Sequence, residues 1–388
     1  MKSAYDQAAT SGRYEGRGAL LGKYDHVRIH WEEGFFRQEL DHQLRPVADE
    51  QGAPLRVLDL GCGGGDGLAF LRETLDEDLH RPLGSYTGVD IVDSLLDQAR
   101  ERFAESETVR FRRGDLSQGL PVEPGEPAYD LYFASFGTLS HLDTPTTVRL
   151  FADIAAHGQP GALVVCDWLG RFSYEWRDLW TGTSDRDVWM DYRISYIYSP
   201  EERARRQIDS FPLRLVAPPE VDTLVAAAAE RSGRSIEVVT VKDRSLLCGR
   251  HIDTGEYNGN PMPLREQLNR LHHEGVDADL EALRVRFPAM DPAAPQDTFF
   301  LGLATAWNDL VDCAAALIAG DTPAPGGENS ATAAGREALL AAVRTATTGA
   351  PPRPAIEAAL AFALRDLELA LQHGGGHGHG LVAVLRLG

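Results

Sequence analysis

A glycine-rich turn flanked by acidic residues is the part of this sequence best suited to bind a cofactor. Residues 57–65 read VLDLGCGGG, an apolar strand pattern that passes directly into the turn, with Asp59 two residues before Gly61. Glycine has no Cβ, so the backbone of such a turn can approach a ligand closely, and a following helix presents free N–H groups. The pattern therefore predicts a cofactor-binding turn between a strand and a helix.

The spacing of the glycines separates the two classes of cofactor that use such a turn. A dinucleotide-binding turn has the pattern G-x-G-x-x-G, and counted from Gly61 its third glycine falls on Asp66. The sequence therefore does not fit a dinucleotide site.

The elements that must position this turn alternate between strands and helices. Short apolar runs predict strands, and stretches of about 10–15 residues between them predict helices. This alternation gives βαβ units and a parallel sheet covered on both faces. The strands are expected near 56–60, 85–90, 109–111, 129–135 and 162–166, and the helices near 67–75, 93–103 and 146–156.

In this order and spacing, residues 55–170 resemble the class I S-adenosylmethionine-dependent methyltransferases of the small-molecule type, and more loosely the resemblance continues to about residue 251. It implies an α/β fold: a Rossmann-like class I methyltransferase sheet with helices on both faces. It also implies S-adenosylmethionine as the cofactor, S-adenosylhomocysteine as the product, and no metal. The family's Asp/Glu-x-Gly-x-Gly-x-Gly motif is matched by Asp59, Gly61, Gly63 and Gly65, with Cys62 inside the turn.

The resemblance assigns further residues to the cofactor, each at the end of a strand. Asp90, followed by Ile91, ends the second strand, where a carboxylate would accept both ribose hydroxyl protons. Asp115 and Leu116 follow the third strand at the adenine contact, with Asp115 accepting from the exocyclic amine. Ser135 ends the fourth strand, whose tip opens beside the sulfonium.

Two residues upstream of the turn are candidates for the methionine end of the cofactor. Tyr24 and Arg28 share a predicted helix face, and N-terminal helices of relatives cap the cofactor. Core or surface roles fit the two residues equally well.

His141 is the candidate catalytic residue, because it follows the fourth strand where small-molecule relatives often have a histidine. With an ordinary pKa of about 6.5, it could accept a proton from a hydroxyl or an amine during transfer. A structural histidine on the pocket floor is the alternative. Methyl transfer needs little acid–base chemistry, since most of the catalysis comes from aligning the nucleophile and excluding water.

The residues after the fourth strand also bear on the substrate. Methyltransferases of nucleobase or glutamine amide nitrogens typically carry Asn/Asp-Pro-Pro-Tyr there, whereas this chain has Ala-Ser-Phe-Gly at 134–137. The net charge of −20 repels nucleic acid. We therefore expect a small-molecule, natural-product-like acceptor, with oxygen slightly favoured over nitrogen or carbon. A peptide acceptor and a non-catalytic binding module of the same fold stay open.

An aromatic segment at 168–198 follows the fifth strand, where many relatives have a substrate lid. Its rings are interleaved with acidic residues, so they could hold an amine by cation–π contact or pack an aromatic or prenyl-like substrate. The alternative is that most of these rings are core. The substrate candidates are Trp168, Tyr174, Trp176 and Trp180.

The rest of the sequence predicts helices on both sides of this core. We expect an N-terminal helical cap at 1–49, the methyltransferase core at 50–252, and a mainly helical C-terminal extension at 253–388. The extension would contribute to the substrate site or to a homodimer. It ends in a strand at 381–387 whose partner the sequence does not identify.

Two local patterns near these boundaries have simple interpretations. Strands at 236–241 and 245–248 read as a hairpin that closes the sheet. Near the C-terminal end, three histidines fit a flexible glycine-rich turn better than a metal site, because no other ligands accompany them. They are His373, His377 and His379.

Cysteine spacing and hydropathy bear on the setting of the chain. The four cysteines are far apart without CxxC spacing, which fits a reducing cytoplasm and no cysteine zinc site. No apolar run approaches the roughly 18 residues of a membrane span, and the N-terminus does not resemble a signal peptide. We expect a cytoplasmic protein without nucleic-acid or membrane partners.

Overall fold

The computed structural model describes residues 17–19, 24–51, 54–75, 83–180, 186–193, 205, 210–249, 255–258, 264–273, 275–327, 329–345 and 353–388. These residues form two compact units. The first unit contains Glu33–Arg244 and Gly374–Gly388, and the second contains Tyr14–Glu32 and Ser245–His373. The predicted cap at 1–49 is therefore divided between the units at Glu33, and residues 1–16 lie outside the described ranges.

The strands and helices are numbered in chain order through both units. The strands are β1 (Arg17–Ala19), β2 (Tyr24–Asp25), β3 (Leu55–Leu60), β4 (Leu83–Asp90), β5 (Val109–Arg113), β6 (Leu131–Ala134), β7 (Leu163–Gly170), β8 (Val188–Arg193), β9 (Ser210–Val216), β10 (Ile236–Arg244) and β11 (Gly380–Leu387). The α-helices are α1 (Glu33–Gln51), α2 (Asp66–Glu73), α3 (Asp93–Arg102), α4 (Thr144–His157), α5 (Pro218–Ser232), α6 (Gly255–Asn258), α7 (Leu264–Leu271), α8 (Pro295–Ala319), α9 (Ser330–Thr345) and α10 (Arg353–Leu371). Short 3₁₀ helices lie at Leu116–Gln118, Thr138–His141, Tyr174–Leu179 and Glu281–Leu283, and a π-helical turn at Arg28–Glu32.

A mostly parallel sheet forms the centre of the first unit. Across the described residues its strands run in the order β10, β11, β7, β6, β3, β4, β5. The pairs β3–β4, β3–β6, β4–β5 and β6–β7 are all parallel. The carboxyl ends of β3 to β7 therefore lie along one edge of the sheet. This arrangement confirms the predicted α/β class and its Rossmann-like methyltransferase sheet.

Helices that begin at recognisable signals cover this sheet. Asp143 caps α4 by accepting a hydrogen bond from the Thr146 backbone N–H at 2.9 Å. The helices α4 and α5 pack together and contribute Leu150, Phe151 and Leu224 to the core. Every residue of β7 is buried, as expected for a parallel strand with both faces covered.

The last strand, β11, lies inside the sheet of the first unit. It is antiparallel both to β7, from Gly380 to Arg386, and to β10, from Gly380 to Leu387. The predicted boundary that assigned all of 253–388 to a C-terminal extension is therefore wrong. The helical residues 245–373 form a separate unit, which the chain enters after β10 and leaves before β11.

The predicted hairpin of 236–241 with 245–248 is also wrong. β10 continues without a turn to Arg244, and residues 245–248 are not a strand. Hydrophobic burial explains the difference: Leu381 to Leu385 are all at most 2% exposed, so β11 is apolar on both faces and suits the interior of a covered sheet, where a strand pairs along each of its two edges. β10 therefore pairs with β11.

The second unit is built around α8, α9 and α10, which pack against one another. Trp307 of α8 is fully buried, and its Nε1 donates to the Leu283 carbonyl at 2.8 Å. By length and composition alone α8 is able to cross a membrane. Its residues Phe300, Leu303 and Leu310 are nevertheless buried within the helical unit, as in the core helix of a globular domain.

Part of the aromatic segment 168–198 extends the sheet. β8 pairs with β9 in antiparallel orientation, and β9 lies alongside the end of β7, where Leu169 and Gly170 face Leu215 and Val216. Residues 181–185 and 194–200 lie outside the described ranges. The predicted lid thus contains at least one strand of the main sheet.

Candidate active site

The glycine-rich turn after β3 has the backbone conformation that its glycines predict. Gly61, Gly63 and Gly65 have φ values of +80°, +52° and +82°, in the left-handed region that favours glycine. The backbone N–H groups of Gly61 and Cys62 donate to the Val89 carbonyl at 2.8 and 3.0 Å. The turn is thereby fixed to the end of the neighbouring strand β4.

Only one of these three glycines faces open space. A Cβ on Gly61 would lie 2.6 Å from the Thr138 side chain, and one on Gly65 would lie 2.7 Å from Phe103. Among the described atoms none comes within 4 Å of a Cβ placed on Gly63. Gly61 and Gly65 therefore allow close packing of the protein itself, whereas the backbone at Gly63 is open to a ligand.

Asp90, at the end of β4, holds the backbone of this turn at Gly63. Its Oδ2 accepts from the Gly63 backbone N–H at 2.9 Å, and its Oδ1 accepts from the Val92 N–H at 2.9 Å. Each carboxylate oxygen has a second lone pair, so the group can also accept from two ligand hydroxyls. Ile91, beside it, is half-buried against Val92 and Leu95.

The Asp59 side chain, two residues before the turn, is buried between Tyr86 and the start of α2. It is 2% exposed, it accepts a hydrogen bond from the Tyr86 hydroxyl, and a Cβ on Gly67 would lie 2.3 Å from its Oδ2. Burial raises the pKa of Asp59 to about 7. The buried Asp59 side chain packs against Gly67 in the first turn of α2. A negatively charged group is favourable at this end of a helix, because the helix N-terminus carries partial positive charge.

Cys62, inside the turn, has a buried side chain that packs beside Gly88 of β4. It is 5% exposed, and its Sγ lies 2.9 Å from where a Cβ on Gly88 would be. Burial raises the pKa of the thiol well above its ordinary value, which removes the reactive thiolate at neutral pH. All four cysteines are buried with free thiols.

Two further predicted cofactor residues, Asp115 and Ser135, follow strands at the same edge of the sheet. Asp115, after β5, is half-buried and caps the short helix that starts at Leu116 by accepting from the Ser117 N–H at 2.9 Å. Ser135 follows β6, and its carbonyl accepts from Thr138 Oγ1 at 2.8 Å. Thr138 was missed by sequence reasoning, because nothing in the local pattern shows that its side chain packs on Gly61.

His141 ends the 3₁₀ helix after β6. Its ring stacks on that of Phe211, with 5.7 Å between the ring centroids. Burial lowers the pKa of His141 to about 4. The imidazole is therefore neutral at neutral pH and able to accept a proton, although a group with this pKa is a weak base.

The four aromatic substrate candidates have different surroundings. Trp168 is fully buried in the core, with its ring centroid 6.1 Å from that of Phe151, which favours the alternative that it is a core residue over the prediction that it contacts substrate. The cause of this burial is the position of Trp168 inside β7, a strand covered on both faces. Tyr174 and Trp176 are 5% and 6% exposed, and Trp180 is half-buried. Substrate contact by these three residues stays a prediction.

A glycine-rich turn before β11 packs against this aromatic segment. Trp176 Nε1 donates to the Gly170 carbonyl at 2.7 Å, and its ring lies 5.9 Å from that of His379. His379 Nδ1 is 2.9 Å from Glu175 Oε1. In the described part of the chain, no group of three or more His, Cys, Asp or Glu side chains is arranged to hold a metal ion.

Tyr24 and Arg28 belong to the second unit. Arg28 pairs with Glu32 at 3.3 Å, and Arg265 holds the same segment through bonds of 2.6 and 2.7 Å to Asp25. These contacts explain why the segment belongs with the helical residues. The predicted contact of Tyr24 and Arg28 with the cofactor stays a prediction.

Comparison with known proteins agrees with this geometry. Residues 57–161 match the family described as Methyltransferase domain. The demethylmenaquinone methyltransferase of Staphylococcus aureus (strain JH9) is 28% identical over 111 residues, which cover 29% of this chain and 42% of that protein. A highly reducing polyketide synthase, gloL, of Glarea lozoyensis is 28% identical over 145 residues, which cover 33% of this chain and 6% of that protein. The chain thus spans less than half the length of these curated relatives.

Solved structures with weaker likeness include two methyltransferases. CalS10 from Micromonospora echinaspora, an amino pentose methyltransferase, is 16% identical, covers 53% of this chain and 84% of that chain, and has a TM-score of 0.32. CcbJ from Streptomyces caelestis is 20% identical, with coverages of 53% and 81% and a TM-score of 0.35. Likeness at this level does not bear on the substrate.

The strand order, the glycine turn with Asp90, and the family match together define the class of this protein. The chain contains a class I methyltransferase domain, of the S-adenosylmethionine-dependent type that its motif resembles. The matched residues run from within β3 to Gly161, two residues before β7 begins, and include the turn, Asp90, Asp115 and Ser135.

Proposed function

We propose that the protein is an S-adenosylmethionine-dependent methyltransferase that acts on a small molecule. The observation that carries the proposal is the open backbone at Gly63, which the fixed Asp90 carboxylate holds through a hydrogen bond, within a matched methyltransferase domain. When bound, S-adenosylmethionine would supply an activated methyl group on a sulfonium. The space that a Cβ would fill at Gly63 fits a ligand that must approach the backbone closely.

The residues at the carboxyl edge would each hold one part of this cofactor. Asp90 would accept hydrogen bonds from the ribose hydroxyls, and Asp115 would accept from the exocyclic amine of adenine. Ser135 would lie beside the sulfonium. Tyr24 and Arg28 remain our candidates for the methionine end.

The acceptor is proposed from the sequence after β6 and from the charge. Ala-Ser-Phe-Gly at 134–137 and a net charge of −20 support a small, natural-product-like acceptor rather than a nucleic acid. Oxygen is slightly favoured as the acceptor atom, with nitrogen and carbon as alternatives. Assays with radiolabelled methyl donor against phenols, carboxylates, amines and prenyl compounds would distinguish them. Turnover of a peptide alone would contradict the small-molecule proposal.

Setting and assembly are part of the same proposal. The four buried free thiols support a reducing, cytoplasmic setting, and a homodimer remains one arrangement that size-exclusion chromatography would test. A non-catalytic binding module is the second candidate function. It would bind S-adenosylhomocysteine but show no methyl transfer to any acceptor class.

We expect wild-type protein to bind S-adenosylhomocysteine, and the Asp90→Ala variant to bind it more weakly by about 1.5–3 kcal/mol, the scale of hydrogen bonds to a charged group. Isothermal titration calorimetry measures both. Asp93→Ala is the control, because that side chain lies nearby at the start of α3 but is about half exposed. Saturable binding of NAD(H) in place of S-adenosylhomocysteine would contradict the cofactor assignment.

Replacing His141 by alanine is expected to lower turnover about 10²–10⁴-fold with little change in cofactor affinity, if it accepts the proton. Since burial lowers its pKa to about 4, the rate should stay constant as pH falls from 7 to 5 and decline only near 4. A loss below about threefold would make His141 a structural residue. A decline centred near pH 6.5 would assign the ionisation to another group.

A further inference from the structure

Phe136, directly after β6, has a backbone conformation that a large side chain rarely adopts. Its φ is +56°, in the left-handed region, and the next residue, Gly137, has φ +80°. A strained non-glycine residue persists only where surrounding contacts hold it, and such residues concentrate at functional sites. We refer to residues 135–138 as the β6 tip.

A buried ion pair on neighbouring strands holds the β6 tip. Asp167 of β7 has no exposed surface and accepts a hydrogen bond from the Phe136 backbone N–H. Arg244, at the end of β10, donates to the same carboxylate from Nη2 at 2.9 Å and from Nε at 3.2 Å. Removing either charge would leave the other buried and uncompensated, which is strongly unfavourable.

Arg244 also packs against the ring of Phe136. Its guanidinium carbon is 5.1 Å from the centroid of that ring and 5.8 Å from the centroid of Phe36 in α1. The two rings meet edge to face at 4.8 Å. Gly380, the first residue of β11, leaves room for the guanidinium, because a Cβ there would lie 2.6 Å from it. Side chain and backbone of Phe136 are thus both held by the same ion pair.

The β6 tip in turn contacts the cofactor turn through Thr138. The Thr138 side chain lies 2.6 Å from where a Cβ on Gly61 would be, so the two segments are in close contact. Thr138 Oγ1 closes the tip by donating to the Ser135 carbonyl at 2.8 Å. A change in the backbone of Phe136 would therefore displace Thr138 from its position against Gly61.

We propose that Asp167 and Arg244 are positioning residues that hold the strained β6 tip, and through Thr138 the glycine turn, in the geometry that binds the cofactor. This inference rests on the proposed function, since it concerns the same site. A buried ion pair adds little stability compared with apolar residues of similar volume. The contacts of this pair with the strained Phe136 explain its presence instead, because they fix the conformation of the β6 tip.

The test compares Asp167→Asn in two backgrounds by calorimetric titration with S-adenosylhomocysteine. In the wild-type background we expect the substitution to weaken binding at least about tenfold, because the neutral amide no longer holds Arg244 against the Phe136 ring and Phe136 relaxes from its strained φ. In the Phe136→Gly background we expect a loss below about threefold, because glycine adopts this φ without the hydrogen bond. A merely structural role of Asp167 would give the same loss in both backgrounds.

Glu220→Gln is the matched control for loss of a buried charge. Glu220 Oε1 pairs with the buried Arg214 at 3.0 Å in the same unit, with no contact to the β6 tip among the hydrogen bonds described. We expect it to lower the unfolding midpoint but to leave S-adenosylhomocysteine affinity within about twofold. An equal loss of affinity in Glu220→Gln and Asp167→Asn would overturn the positioning role.

A second pair of variants applies if Asp167→Asn does not fold. Phe136→Ala and Phe136→Gly both lose the ring, but only alanine keeps the cost of the positive φ, so we expect Phe136→Ala to bind at least about threefold more weakly. Equal affinities would overturn the proposal. Wild-type protein that does not bind S-adenosylhomocysteine would refute the proposed function and this role together, whereas unimpaired binding by Asp167→Asn would refute this role alone.

Discussion

A valine at position 63 is expected to abolish binding of S-adenosylhomocysteine while the protein stays folded. A Cβ at Gly63 meets no described atom within 4 Å, so a branched side chain would not clash with the protein. It would instead fill the space beside Asp90 through which the ligand approaches the backbone. We expect affinity to fall at least about 100-fold, which corresponds to about 2.7 kcal/mol, measured by calorimetry.

The matched control for Gly63→Val is Gly161→Val. Gly161 has φ +85°, and no described atom lies within 4 Å of a Cβ placed there either. It precedes β7, at the edge of the sheet opposite the carboxyl ends. Both variants therefore bear the cost of a valine in the left-handed region, and only Gly63→Val obstructs the site. Wild-type affinity in Gly63→Val would refute the placement of the cofactor, and equal losses in both would attribute the effect to strain.

Removal of residues 380–388 is expected to prevent the first unit from folding, although the segment is short and distant in sequence from the glycine turn. The deletion removes β11 from between β7 and β10, so β7 keeps its pairing with β6 but loses one neighbour, and β10 loses the strand with which it pairs in the described sheet. It also removes five large apolar side chains, each at most 2% exposed. At about 1.5–3 kcal/mol each, they contribute about 10 kcal/mol, comparable with the whole stability of a domain.

The measurement for this deletion is the soluble yield together with near-ultraviolet circular dichroism and thermal unfolding. A chain ending at residue 253 is expected to fail in the same way, because it lacks the same strand. A soluble 1–379 protein with a cooperative unfolding transition at the wild-type temperature would contradict the assignment of β11 to the sheet.

Two alanine substitutions in β11 give a matched comparison that does not depend on truncation. Leu385 is 1% exposed, so Leu385→Ala should lower the free energy of unfolding by about 2–5 kcal/mol. The side chain of the adjacent Arg386 is 38% exposed. Arg386→Ala should therefore change the free energy of unfolding by no more than about 0.5 kcal/mol. Equal losses of unfolding free energy in the two variants would contradict a strand in which Leu385 lies in the core and Arg386 faces solvent.

Local patterns were sufficient to predict that the cofactor-binding residues lie at the carboxyl ends of the parallel strands. The apolar run ending at Leu60, the glycines after it, and Asp90 at the end of the next strand are each short-range signals. Parallel βαβ units bring the carboxyl ends of successive strands to one edge, so the order of these signals along the chain also predicts their neighbourhood in space. The predicted roles of Asp115 and Ser135 depend on the same rule and await ligand binding.

Contacts between distant residues could not be predicted in this way. Trp168 belongs to an aromatic stretch that resembles a lid, yet it is core, because β7 is covered on both faces. The pairing of Asp167 with Arg244 joins residues that are 77 positions apart. No spacing rule relates such a pair, and the positive φ of Phe136 has no signature in its residue type.

The sequence by itself determined the class of fold and the location of the cofactor turn, because glycine content, strand–helix alternation and terminal acids are local properties. Only the tertiary structure decided that residues 245–373 separate β10 from β11, and that the last strand completes the sheet rather than ending an extension. The neighbours of a strand are decided by which backbone N–H and C=O groups pair with its two edges, and for β11 the two strands that do so, β7 and β10, lie far away in the sequence.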